Sequence, residues 1–359
     1  MDAAEKMSAE ASASDPAVCL VCKDGCPGLQ PHSWRKACVA CGCSTAEHAP
    51  GNHGDDDRRM GRLLADSPCA RLTAKVKGGG GLRLYKRNRM IVTDPVVSRK
   101  DPTFSTTTYD WAPAGLNQKL AKQYMELIPE SQRPVSGTGG AALRRRRLLG
   151  QLPAYDQDPV TCQSLANDDE VSAMLLFVKR YKMEALGVGE VALPGDGEAL
   201  REAADQREAR EQNHGDEEAA DRHPDRDAVA AEESTNGAEN NTRYRFVAFQ
   251  RCSGCGGDVA AESPAVFAER AGYRAALWHP ACFACAECGQ GLADLVYFWS
   301  NRRLLCGRHY CQSVRPRCAG CDELIFGESF RTAQDGRTWH RRHYCCWRCG
   351  RSLDTPCHH

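Results

Sequence analysis

Apolar residues recur at helical spacing in one part of the chain, roughly residues 116 to 181. Leu116, Leu120, Tyr124, Leu127 and Ile128 fall on one helical face, and Pro129 stops the run. Arg144 to Leu152 carries Leu148, Leu149 and Leu152 on one side. A third helix is predicted from Val171, Met174, Leu175, Val178 and Tyr181, with Asn167 and Glu170 spaced as a capping box. Pro and Gly separate the three, so they predict a small helical domain with these stripes as its core. Elsewhere the apolar positions are thin and show no sustained period. Residues 195–243 contain no Phe, Trp or Tyr and are dominated by Ala, Glu, Asp, Gly and Asn. Such a stretch cannot bury enough apolar surface to offset its ordering entropy, and a disordered linker is expected there.

Composition changes the picture at one residue type. Cysteine accounts for 21 of 359 residues, while aromatic residues make up only 7%. Chains this rich in Cys are stapled by disulfides or by metal. The N-terminus, MDAAEKMSAEASASDPA, has no apolar segment of the kind a secretory signal needs, and no apolar run of spanning length follows. The expectation is a chain of the cytoplasm and nucleus, with reduced thiols and metal as the staple. Net charge is zero but uneven: about −3 over 1–60, +7 over 61–194, −9 over 195–243 and +5 over 244–359. The acidic block divides two basic ones and marks domain boundaries.

The C-terminal cysteines stand at metal-ligand spacing. Cys252, Cys255, His279, Cys282, Cys285, Cys288, Cys306 and His309 read C-x2-C-x23-H-x2-C-x2-C-x2-C-x17-C-x2-H. Zinc takes four N or S ligands in a tetrahedron, and a C-x2-C knuckle aims two thiolates at one ion. This order makes two sites in series: the first four residues, then the last four. With Trp278 before the histidine and Phe283 after Cys282, the pattern resembles the LIM domain. A second copy begins at Cys318, Cys321, His340 and His343, and Cys346-x2-Cys349 opens a further site. Here the chain departs from the LIM pattern, because only ten residues follow Cys349. A truncated second LIM domain is the favoured expectation; completion by Cys357 with His358 or His359 is the alternative. Cys311 and Cys345 are surplus to both patterns, and Cys69 and Cys162 lack partners in the sequence.

The N-terminal block is a second metal candidate: Cys19, Cys22, Cys26, His32, Cys38, Cys41, Cys43 and His48. Two knuckles facing each other, Cys19/Cys22 with Cys38/Cys41, would form one site. Cys26, Cys43, His32 and His48 then remain for another. An interleaved pairing stays open.

The helical region carries further wording: Lys86-Arg87-Asn88-Arg89-Met90, Thr108-Tyr109-Asp110-Trp111-Ala112-Pro113, Gln123-Tyr124-Met125 and Leu152-Pro153-Ala154-Tyr155-Asp156-Gln157-Asp158-Pro159. These stretches resemble the PET domain of the prickle and testin proteins, and Lys182 to Pro194 fits the end of that module. The order of parts resembles the PET–LIM family. The fold class expected is therefore a multi-domain chain of small zinc-stapled modules. A disordered N-terminus (1–17) precedes a cysteine-rich zinc-binding region (18–60) and a mainly helical PET domain (61–194). The disordered acidic linker (195–243) leads to two tandem β-rich LIM zinc fingers, a first (250–312) and an incomplete second (316–359).

Catalysis has little support in this sequence. A catalytic zinc keeps a coordination position open for water, whereas the first LIM pattern fills all eight positions with protein. HExxH, GxSxG and GxxxxGK[ST] are absent. Arg144 to Arg147 is a run of four arginines, read either as a solvated helix face or as a nuclear-import patch, and it could also dock the acidic linker. Neither LIM region has the dense basic face that phosphate contact wants, so direct DNA binding is not favoured. The expectation is a protein-interaction adaptor held together by structural Zn2+. The family resemblance implies a transcriptional co-repressor that binds GATA-type zinc-finger factors and blocks their access to DNA. Testin implies the alternative, a cytoskeletal or adhesion scaffold.

Overall fold

The computed structural model describes residues 19, 21–22, 25–48, 53–76, 82–86, 88–96, 103–114, 116–203, 205–206, 250–272, 276–292, 296–346 and 351–354. Among the described residues four α-helices precede the linker, and three of them are the expected ones. Helix α1 (His53–Leu64) lies outside the predicted set, and α2 (Gln118–Glu126), α3 (Gly139–Gln151) and α4 (Asp168–Glu184) match the three stripes. The match is looser at the level of single residues. In α4 the buried residues are Met174, Phe177, Val178 and Tyr181, while Leu175 is 53% exposed. The Asn167 side chain accepts from the Glu170 N–H, as a capping box requires, but Glu170 reaches back to the N–H of Ala166 instead of Asn167. Leu127 is the C-cap of α2 and faces out.

Four short strands accompany the helices. β1 (Thr73–Lys75) pairs with β2 (Arg83–Tyr85), and β3 (Met90–Val96) pairs with β4 (Thr103–Tyr109), both antiparallel. After α4 the chain runs out as two three-residue strands, β5 (Leu186–Val188) and β6 (Glu190–Ala192). These strands do not pair with the helical domain. They join the hairpins of the C-terminal half, which begins with β7 (Gln250–Arg251) and β8 (Asp258–Val259). β6 adds to β9 (Ala265–Phe267), which pairs with β10 (Leu277–Trp278). β5 adds to β11 (Val296–Ser300), which pairs with β12 (Arg303–Leu305). Helix α5 (Gly307–Val314) closes this unit, and β13 (Phe330–Thr332) and β14 (Thr338–His340) form the last hairpin.

The packing follows the pairing. Tyr181 on α4 meets Phe298 on β11 edge-on at 5.4 Å and Tyr310 on α5 at 6.3 Å. Phe177 meets Phe326 at 5.8 Å. One contiguous apolar cluster therefore runs from Met60 to Phe326, across units that the sequence presents as separate modules. Short strands supply backbone hydrogen bonds at the seam, and aromatic side chains supply the buried area.

The expected linker needs one correction. Its first residues are structured: Pro194–Asp196 is a single 3-10 turn, and residues 197–203 are helical. Gly197 is buried and Leu200 packs against the core cluster, which gives this segment an apolar anchor. Residues 1–17 and 207–243, where disorder is expected, lie outside the described residues.

Candidate metal centres and the seam between them

The first LIM pattern folds as its spacing predicts. Cys252, Cys255, His279 and Cys282 bring their ligand atoms within 4.8 Å of one another, and so do Cys285, Cys288, Cys306 and His309. The shared edges are 3.5 Å for Cys255 Sγ to His279 Nδ1 and 3.2 Å for Cys306 Sγ to His309 Nδ1. A tetrahedral zinc with Zn–S of about 2.3 Å and Zn–N of about 2.0 Å has S–N edges of about 3.5 Å, and both groups lie within about 0.3 Å of that. His279 turns Nδ1 to the site and Nε2 to the Asp258 carbonyl at 3.2 Å, a second contact that fixes ring orientation.

The knuckles prepare their thiolates with backbone N–H groups. Burial raises the Cys252 thiol, but the N–H groups of Cys255, His279 and Gly254 outweigh it and bring it down to about 7. A hydrogen bond from Cys306 holds Cys285 down, to about 4, while the same contact pushes Cys306 up. Crowded thiols cannot all ionise without a cation among them, which is the electrostatic case for a divalent ion here.

In the second finger, Cys318, Cys321, His340 and His343 form a third complete group, with Cys318, Cys321 and His343 buried and His340 half-buried. Cys318 Sγ stands 3.6 Å from His343 Nδ1, and Cys321 Sγ stands 3.4 Å from His340 Nδ1. Cys346 is placed beside this finger, with its N–H donating to the Arg351 carbonyl at 2.8 Å. Its partner Cys349, and Cys357, His358 and His359, lie outside the described residues.

The N-terminal block departs from the predicted partition. Cys19, Cys22, Cys41 and Cys43 form one group, and Cys26, Cys38, Cys41 and His48 form the other. Cys38 therefore leaves the expected first site and Cys43 enters it. The cause is local: Cys38 N–H donates to the Cys43 carbonyl and Gly42 N–H to the Cys38 carbonyl, so the knuckle turns back on itself and sends Cys38 toward Cys26. His32 belongs to neither group. Its Nδ1 accepts from the N–H groups of Trp34 and Arg35, both at 3.3 Å, so it orders a loop and not an ion.

That loop reaches the far end of the chain. Trp34 stacks flat on His343, with centroids 4.2 Å apart and planes 4° off parallel. Lys36 Nζ lies 2.6 Å from Glu323, a fully buried carboxylate. Glu323 also accepts from the N–H groups of Gln163 and Ser164, at 3.0 and 2.8 Å, and from the Cys162 thiol at 3.2 Å. Arg317 donates to both Asp156 oxygens, at 3.1 and 2.5 Å, with both side chains at least 95% buried. Asp322 takes Arg308 and the Tyr155 hydroxyl.

Sequence reasoning missed this polar seam, yet it left one trace. Three C-x2-C knuckles are followed by glycine at positive φ: Gly42 (φ 73°), Gly256 (φ 72°) and Gly289 (φ 67°). The knuckle at Cys318 and Cys321 has Asp322 there instead, at φ 65°. A non-glycine residue in this region is held by its side-chain contacts, and Asp322 has them in Arg308 and Tyr155. The surplus thiols also find places. Cys311 and Cys69 are buried, and burial pushes both up, Cys69 to about 11. The arginine run on α3 is half-buried: Arg144 lies over Trp111, Arg147 donates to Gln132, and Arg146 faces Glu47.

The helical domain and the zinc-finger hairpins that its C-terminal strands join each match a family model. The PET family model matches residues 90–192, and the LIM family model matches residues 252–314. The chain is 50% identical over 335 residues to LIM and cysteine-rich domains protein 1 of Bos taurus, covering 93% of this chain and 86% of that protein. The same protein of Homo sapiens is 49% identical with the same coverage. Testin of Gallus gallus is 45% identical over 333 residues, covering 93% of this chain and 74% of testin. The chain belongs to the PET–LIM family, and its LIM region carries structural zinc.

Proposed function

We propose that this PET–LIM adaptor acts as a transcriptional co-repressor, binding GATA-type zinc-finger factors and blocking their DNA contact. The observation that carries a protein-directed role is the state of the arginine run. A DNA-reading face leaves its cations open to phosphate, whereas Arg144, Arg146 and Arg147 here are spent on Trp111, Glu47 and Gln132. The closed ligand groups of the first finger argue in the same direction, because they leave no position for water-based chemistry. The choice of GATA-type factors rests on what the family resemblance read from the sequence implies. The setting of such a role is the nucleus, with a cytoplasmic pool.

The test is a gel shift on a GATA-site duplex with this chain alone, a GATA factor alone, and both. The expected result is loss of the factor's shifted band with no band from this chain. An untouched factor band overturns the reading. The testin relatives favour the second reading, a cytoskeletal or adhesion scaffold, which then becomes the working one.

A further inference from the structure

The N-terminal groups share a residue, and ligand arithmetic makes that sharing informative. Two tetrahedral ions need eight ligand positions. The two groups contain Cys19, Cys22, Cys26, Cys38, Cys41, Cys43 and His48, which is seven side chains, with Cys41 in both. His32, the eighth candidate, lies in neither group and turns Nδ1 to the backbone of Trp34 and Arg35. We propose that the block holds a dinuclear zinc cluster in which the Cys41 thiolate bridges the two ions.

The distances on either side of Cys41 fit two tetrahedra meeting at one corner. On one side Cys22 Sγ and Cys43 Sγ are 3.3 Å apart. On the other, His48 Nε2 stands 3.4 Å from Cys41 Sγ and 3.6 Å from Cys26 Sγ, and Cys26 Sγ stands 4.0 Å from Cys38 Sγ. His48 is fully buried and turns Nδ1 to the Ser44 carbonyl at 3.0 Å. A neutral imidazole donating from Nδ1 presents its Nε2 lone pair to the metal, which is the second contact expected of a ligating histidine. The remaining thiolates receive backbone support: Cys22 N–H points at Cys19 Sγ and Gln30 N–H at Cys38 Sγ, each at 3.4 Å. Six thiolates against two divalent ions leave a formal charge of −2. Separate sites, one of four sulfurs and one of three sulfurs with a nitrogen, would need a seventh cysteine, and the block has six.

The inference does not depend on which partner the adaptor binds. It is tested on the full chain loaded with 113Cd. Cysteine-bridged ions share a sulfur and show scalar 113Cd–113Cd coupling, whereas mononuclear LIM sites give singlets and act as an internal control. Two mutually coupled resonances are expected, one from an all-sulfur environment and one from three sulfurs with a nitrogen. They are assigned by the loss of one ion in Cys22→Ala and of one in Cys26→Ala, counted by native mass spectrometry. Cys41→Ala is expected to remove two ions. Uncoupled singlets throughout overturn the bridge even if Cys41→Ala loses two ions, since unfolding alone would do that. A loss of only one ion in Cys41→Ala overturns it as well.

Discussion

The pair of Arg317 with Asp156 shows what a single residue contributes to this fold. Burial pushes the Asp156 carboxyl up to about 6 against the pull of Arg317, so the charge is tolerated only because the guanidinium grips both oxygens. Arg317→Met strands that carboxylate, and a cost of about 3–5 kcal/mol is expected from urea unfolding of the zinc-loaded chain. Adding Asp156→Leu is expected to recover most of the loss, because the uncompensated charge goes with it. No recovery in the double variant would mean that Arg317 acts through packing alone. These residues are opaque in the sequence, since neither spacing nor composition pairs positions 161 apart. The metal ligands are legible because coordination fixes local spacing. Even so, the partition of the N-terminal block is not, since facing knuckles and interleaved knuckles share the same spacing.

At the scale of elements, the arm after α4 decides how the two halves meet. Gly187 lies opposite Tyr297, and a Cβ placed on it would stand 2.4 Å from the tyrosine ring. Tyr297 is fully buried and its hydroxyl accepts from the Arg270 N–H at 3.0 Å, so the ring has little room to yield. Gly187→Val is expected to destabilise the chain by about 2–3 kcal/mol through overpacking. It should also raise amide exchange in β5 and β11 while leaving α2 unchanged. Equal exchange in wild type and variant would show that β5 pairing is not what closes the seam. The helices are readable because a 3.6-residue period survives in the chain. Leu175, exposed, shows the limit: apolar identity puts it on the core side, and tertiary packing chooses Phe177 instead. The three-residue strands have no period to read. Their pairing depends on hairpins about 75 to 110 residues away.

For the whole molecule, the sequence presents beads joined by a linker, and the structure shows one large apolar core shared by the PET domain and the fingers, with two small clusters at the cysteine-rich block and the second finger. The cysteine-rich block reaches the second finger through Trp34 and Lys36, while the PET arm adds an edge strand to each of two sheets of the first finger. Zinc contributes roughly 10–16 kcal/mol of apparent folding energy per structural site in small fingers. Zinc fixes the hairpins that the arm strands pair with, so the arm should depend on zinc as they do. The direct measurement is hydrogen exchange of the full chain before and after zinc is stripped by a chelator. The account predicts that β5 and β6 lose protection together with β9 to β12, while the buried turns of α2 keep theirs. Protection of β5 and β6 that survives zinc removal would contradict it, and would make the PET domain and the first finger two independent units in contact.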